Sequence, residues 1–262
     1  IRIITELHEG GLPGGFNKKY QKYLSCVDGI VFTTPSQISY LEKLEYKVPD
    51  RYCVLPNGVN TELYSKAAPQ QIEESYIITY TGQFTSWKNI PLLFKSLALL
   101  PQHYHLRLAG GKINGNSNDY IKTLAEEHDV VERVEYLGFL HPSTLIEKSI
   151  NGSSVLVVPL GDSHIAKYAT SPMKLIEYMA TGIPIVAVNH PSVVALSDEG
   201  SLHLSSTNPQ EFANKIIEAT KEDKKKKHER IRKMNSIVKK YSHHARAKKY
   251  TEWLIYIRQQ TH

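Results

Sequence analysis

The chain has 262 residues, 41% of them hydrophobic and 22% charged, with a formal net charge of +6. That balance builds a sizeable core and excludes a disordered or fibrous chain. No apolar run is long enough to cross a bilayer, and "IRIITELHEG" has no leader-like pattern, so a cytoplasmic location is expected.

Strand and helix alternate from the start, which predicts an α/β fold with parallel sheets. "IRIITEL" reads as a strand, "NKKYQKYLSCV" as a helix and "GIVFTT" as a strand. The helix "PSQISYLEKLEY" follows, with Pro35 near its start, and then the strand "YCVLP" runs into the turn signal Asn57-Gly58. Residues 59–75 show no firm periodicity and read as a connector. A second series then supplies the strands "IITYTGQF", "YHLRLAGG", "RVEYLGFL", "SSVLVVPL" and "PIVAVNH". Its helices run through "NIPLLFKSLALL", "NDYIKTLAEEH", "PSTLIEKS" and "SPMKLIEYMA". Residues 208–260 read as helix throughout, broken near Tyr241 and Ser242. The expected division is a partial first unit with its connector over 1–75, a complete doubly wound unit over 76–241, and a terminal helix over 242–262.

Cys26 and Cys53 have neither metal-ligand nor redox spacing and read as reduced, structural thiols. The positive charge concentrates in "KEDKKKKHERIRKMNSIVKK". Such a face could dock on an anionic surface or be a solvated helix side. No nucleic-acid partner is expected.

"SPMKLIEYMATG" carries the first chemical signal. Ser171 reads as the N-cap, Pro172 as the first helical residue and Gly182 as the stop. Lys174 then sits third in the helix, against the positive end of the dipole, at a cost of about 0.3–1 kcal/mol. Glu177 is a poor remedy, because lysine ahead of glutamate is the weaker order. An anion at the helix start would remove the mismatch; otherwise Lys174 is a surface lysine tolerated at small cost. Met173, Leu175, Ile176, Met179 and Ala180 share an apolar side, leaving Lys174, Glu177 and Thr181 together. A carboxylate placed like Glu177 suits a ribose diol.

A second constellation is "YTGQFTSWKNIPLL", where the strand ends at Gly82 and Lys88 and Asn89 precede the next helix. Ligands of open α/β sheets bind at that carboxyl edge. "LAGGK" and "LGFL" end their strands in glycine along the same rim. His8, after the first strand, could face the cleft or play a local role. Walker, G-x-G-x-x-G, H-E-x-x-H, G-x-S-x-G and paired Cys-x-x-Cys motifs are absent.

Taken in order, "VLPNGVNTELY", "YTGQF", "WKNIPLLFKSL", "LRLAGG", "VEYLGFL", "VLVVPL" and "SPMKLIEYMATGIPIVA" resemble the retaining nucleotide-sugar glycosyltransferases of family 4. That likeness covers most of residues 29–260. It implies the GT-B fold of two facing Rossmann-like domains, with the donor held mainly by the second. Gly82 and Lys88 stand where the family's glycine and lysine hold the diphosphate. Gln83 stands where the family has arginine, a loss that Lys174 would partly replace. The resemblance places the base against Phe139 and Leu140, the phosphates on the helix start formed by Ser171, Pro172, Met173, Lys174 and Leu175, and the ribose on Glu177. Lys88, Lys174 and His8 are the expected catalytic groups. The family's earlier glutamate is replaced by Ala169; either other groups hold the sugar, Asp162 being the nearest, or catalysis is impaired.

The resemblance implies a UDP- or GDP-linked sugar donor, no cofactor and no metal. The implied acceptor is a glycan or lipid-linked hydroxyl, with peripheral contact to the inner membrane face through the basic helices. Family members carry further residues ahead of "IRIITELHE", so a partner chain or a missing amino-terminal segment is expected to cover apolar surface. The last helix would cross back onto the first half. Two alternatives stay open: a UDP-sugar epimerase of the same fold, and a degenerate glycosyltransferase-like subunit or binding module.

Overall fold

The computed structural model describes residues 3–7, 22, 24–68, 75–112 and 115–259. The alternating pattern forms two parallel sheets. In the first, β1 (Ile4–Leu7), β2 (Gly29–Phe32) and β3 (Tyr52–Val54) lie in the order β1-β2-β3. In the second, β4 (Tyr76–Gln83), β5 (Tyr104–Gly111), β6 (Val134–Tyr136), β7 (Val155–Val158), β8 (Ile185–Val188) and β9 (His203–Ser205) lie in the order β6-β5-β4-β7-β8-β9. The strand order reverses between β4 and β7, so a crevice opens at their carboxyl ends.

The main helices in chain order are α1 (Pro35–Lys43), α2 (Ile90–Leu99), α3 (Ser117–Glu127), α4 (Met173–Met179), α5 (Pro209–Thr220), α6 (Lys224–Val238) and α7 (His243–Gln259). β2 reads "GIVF" without alternation because both faces are covered. Ile30 and Phe32 pack with Leu24 and with Leu41 of α1, while Val31 joins Cys53 and Leu55 against Tyr250 and Trp253 of α7. A methyl group on Gly29 would meet Trp253 and Ile257 at 2.8 Å, so glycine lets α7 sit directly on β2. Arg246 and Lys249 fasten the same helix through Glu6 Oε1 (2.6 Å) and the Val54 carbonyl (2.9 Å).

Several expectations need correction. A helical turn, Thr61–Tyr64, interrupts the connector, with the Asn60 side chain accepting from the Leu63 amide. "RVEYLGFL" pairs only over Val134–Tyr136. β9 and the turn Pro191–Val194 were not foreseen, since each is too short for periodicity to register. The C-terminal helical stretch also breaks at 221–223, because Asp223 accepts from the Lys226 amide (2.9 Å) and starts a new helix. The helix expected at "NKKYQKYLSCV" falls largely outside the described residues.

The strongest correction concerns α4. It begins at Met173, with Pro172 as the non-helical cap (ψ 89°), so Lys174 is its second residue. Ser171 caps nothing: its hydroxyl faces the Asn57 amide of the other half, at 3.5 Å. Gly182, with φ +72°, closes the helix as expected.

A buried histidine, His190, and a half-buried one, His203, give the fold a pH dependence. His203 sits among Glu218, Glu222, Arg230 and Lys215, and burial outweighs the attraction of the carboxylates, so its pKa is lowered. Burial lowers His190 as well, against the pull of Asp162. The unfolded chain titrates near about 6.5 and therefore binds more protons than the folded one just below that pH. Stability should fall as pH drops below that point. Melting temperatures between pH 8 and pH 5 check this, and His203→Gln should flatten the slope.

Candidate active site

β4 runs one residue past the expected end, to Gln83, and its penultimate residue is Gly82, whose φ of +147° suits only glycine. Beside it Gly110 (φ +125°) leaves no room for a side chain: a Cβ there would overlap the Gly82 carbonyl oxygen. Two glycines thus bring the β4 and β5 backbones together at the crevice. The chain then turns through Ser86–Lys88 and left-handed Asn89 into α2. The Lys88 ammonium lies 3.8 Å from the centre of the Trp87 ring, and the Trp87 carbonyl accepts from the Gly161 amide (2.9 Å). α4 is held at the same edge by Tyr178, whose hydroxyl accepts from the Thr81 amide (2.7 Å).

These elements enclose a cavity of about 370 Å³. Gly82, Gln83 and Lys88 line it from the β4 side, Ser171, Pro172, Met173, Lys174 and Glu177 from α4, and Thr33 and Asn57 from the three-stranded sheet. Tyr80, Trp87 and Thr170 complete it. Lys174 Nζ is 2.8 Å from Glu177 Oε2, so the lysine at the positive helix end is compensated within its own helix. The Glu177 side chain is only 12% exposed, and its Oε2 contacts the ammonium without hydrogen-bond alignment. Burial, and then the Glu177 charge, push the Tyr64 hydroxyl far up, so it stays protonated beside the carboxylate.

Eight of the expected site residues therefore meet in one place: Gly82, Gln83, Lys88, Ser171, Pro172, Met173, Lys174 and Glu177. Leu175 does not, since it is wholly buried in the core and its amide donates to the Pro172 carbonyl (2.9 Å). Phe139 and Leu140 stand outside the lining, beyond the end of β6 and two strands from β4; Phe139 is 69% exposed, its ring close to Gly111. His8 lies outside the described residues. Asp162 lines a different cavity, bound to Lys167 (2.8 Å) and Thr207 (2.8 Å), and so is not a stand-in for the earlier glutamate.

Sequence reading missed the contacts that join the two halves. Gln37 closes a capping box with Thr34 at the start of α1. Its Oε1 accepts from the Thr33 amide (2.8 Å), while its Nε2 donates to the carbonyls of Leu7 (3.2 Å) and Ala169 (3.1 Å). Ser36 Oγ donates to the Tyr168 carbonyl (2.8 Å), and the Tyr40 and Tyr168 rings stack at 5.2 Å. Ala169 is buried and its carbonyl is engaged by this latch.

Among the described residues no cluster of His, Cys, Asp and Glu could hold a metal ion, and no helix is long and apolar enough to cross a membrane. The two sheets, the strand reversal and the crevice at the carboxyl ends define an α/β protein of the GT-B fold. The Anabaena protein Alr3699/HepE, solved in complex with UDP, superposes with a TM-score of 0.79 at 15% identity, covering 97% of this chain and 72% of that one. A glycosyltransferase from Rickettsia africae gives 0.79 at 18% identity, covering 97% and 70%. A mutant of S. aureus TarM, in complex with fondaparinux, alpha-GlcNAc-glycerol and UDP, gives 0.70 at 19% identity, covering 96% and 50%. No curated protein matches the sequence. Residues 65–236 match the glycosyl transferases group 1 family, and the chain belongs to it.

Proposed function

We propose that the protein transfers a sugar from a UDP- or GDP-linked donor to a hydroxyl of a glycan or lipid-linked acceptor, with retention of configuration. The observation that carries this reading is the convergence of Lys88 and Lys174, from separate elements, on one cavity floored by Gly82. The complexes of Alr3699/HepE and TarM with UDP support it by likeness of fold.

In this reading the donor diphosphate lies between the two ammonium groups and the α4 amides, and the ribose hydroxyls donate to Glu177. The bond from the sugar's anomeric carbon to the diphosphate oxygen breaks as the acceptor oxygen forms its bond on the same face. The departing diphosphate takes the acceptor's proton. Cations and oriented amides aimed at the developing charge lower the barrier. Lysines here do the work that a divalent cation does in other transferases. Residues 76–241 form the donor side, while the three-stranded sheet with α7 forms the acceptor side. The enzyme works in the cytoplasm, with the exposed lysines of α6 near the anionic inner membrane face.

Calorimetric titration with UDP and with GDP tests the donor site. Saturable binding of one names the donor class, and binding of neither overturns the reading. One observation favours a second reading, a nucleotide-binding subunit without turnover: Ala169 stands, buried, where the family has its earlier glutamate. Nucleotide binding with no sugar released from the matching donor, across a panel of glycan acceptors, would mark that case.

A further inference from the structure

A second cavity, of about 500 Å³, borders the carboxyl edge of the three-stranded sheet. Pro35 and Pro56 line it, close in the chain to Thr33 and Asn57, which line the first cavity. Its other wall is the return of the chain at Lys240, Tyr241, Ala245, Arg246 and Lys249. Here the two chain crossings meet, the Val59 amide donating to the Tyr241 carbonyl at 3.0 Å.

The charge of this cavity is one-sided. Residues 239–249 hold five Lys or Arg and no Asp or Glu, a bias the donor site does not use. Lys240, Arg246 and Lys249 line the cavity, and among the described residues no carboxylate does. Arg246 is held by Glu6 (2.6 Å) and by the Pro56 carbonyl (3.1 Å), and Lys249 by the Val54 carbonyl (2.9 Å). Asp198 is the other acidic group whose charge reaches this wall, felt at the Tyr241 hydroxyl. Lys240 and Lys249 have no carboxylate in ion-pair contact among the described residues. Cations gathered on one cavity repel one another, and a bound anion reverses the sign of that interaction. The remaining wall of Val54, Leu55, Ala195 and Ala245 is apolar.

We propose that this cavity is a binding site for a phosphate group, gripped by Lys240, Arg246 and Lys249. Two sources share that chemistry: a phosphoryl group on the acceptor, which rests on the transferase reading, and free phosphate, which does not.

The test is calorimetric titration of the full chain, at low salt, with inorganic phosphate and with hexyl phosphate. Each is measured on the parent, on Lys240→Ala, on Lys240→Ala/Lys249→Ala and on Lys174→Ala, with UDP and GDP titrated into the same proteins. The double variant should bind both phosphates about tenfold or more weakly, as expected for lost charge-assisted contacts, with UDP affinity unchanged. Lys174→Ala should leave a phosphate event intact. Hexyl phosphate binding more tightly than the inorganic ion points to a group carried on a larger molecule, and equal affinities point to the free ion. No phosphate binding, or binding lost in Lys174→Ala and kept in the double variant, overturns the site. UDP and GDP both failing to bind while phosphate does would remove the transferase reading and leave the anion site standing.

Discussion

Lys174→Ala should weaken binding of the cognate nucleoside diphosphate by about ten- to a hundredfold, the loss of one charge-assisted contact to phosphate. Glu177→Ala should cost a comparable factor, through the ribose. The two residues are also partners in the free protein, 2.8 Å apart, so the single changes carry different side effects. Removing Lys174 leaves the mostly buried Glu177 carboxylate of α4 with no cation in ion-pair contact, which should lower stability by about 1 kcal/mol. Removing Glu177 frees the ammonium and leaves stability nearly unchanged. The double variant should therefore regain the stability lost by Lys174→Ala without regaining affinity. Calorimetry with UDP and GDP, read beside urea melts, separates the two effects. Unchanged affinity in both single variants would make the pair a surface ion pair and nothing more.

Gly110→Ala should be the most damaging small substitution at the crevice. Its Cβ would overlap the Gly82 carbonyl oxygen and lie 2.7 Å from the Gly82 carbonyl carbon, with φ held at +125°. Neither neighbour is a flexible side chain, so the two strands must separate at their carboxyl ends. A cost of about 3 kcal/mol or more follows from the overlap and the backbone strain together. Gly138→Ala is the control: its φ of +67° imposes strain, but nothing lies within 4 Å of the new methyl group. That change should cost about 1 kcal/mol. Equal losses in urea unfolding would show that backbone conformation, not the close approach of β4 and β5, is what glycine supplies there. Because Gly82 floors the cavity, Gly110→Ala should also lose nucleotide binding at temperatures where it remains folded.

Much of the donor side was legible in the chain because its signals are local. A strand that ends in glycine, a lysine before the next helix, and a lysine at the wrong end of α4 can each be seen within a dozen residues. Ser171 misled for the same reason: serine ahead of proline is a good local cap, but a tertiary contact with Asn57 claims its hydroxyl. Asp162 is near in sequence, but Lys167 and Thr207 hold it in another cavity. β9 was too short to carry a period. Gln37 could not have been singled out at all, because its decisive partner lies 132 residues away.

That amide has a consequence for protein engineering. Ser36 and Gln37 of α1 grip the backbone of Tyr168 and Ala169, four and three residues before Pro172 caps α4. Chimeras that join the first sheet of one family member to the second sheet of another would sever this grip unless α1 travels with the segment from Ser163 to Ser171. A junction drawn in the connector, at residues 65–75, separates them. A junction that also grafts α1 keeps both sides of the crevice in the register at which they were assembled.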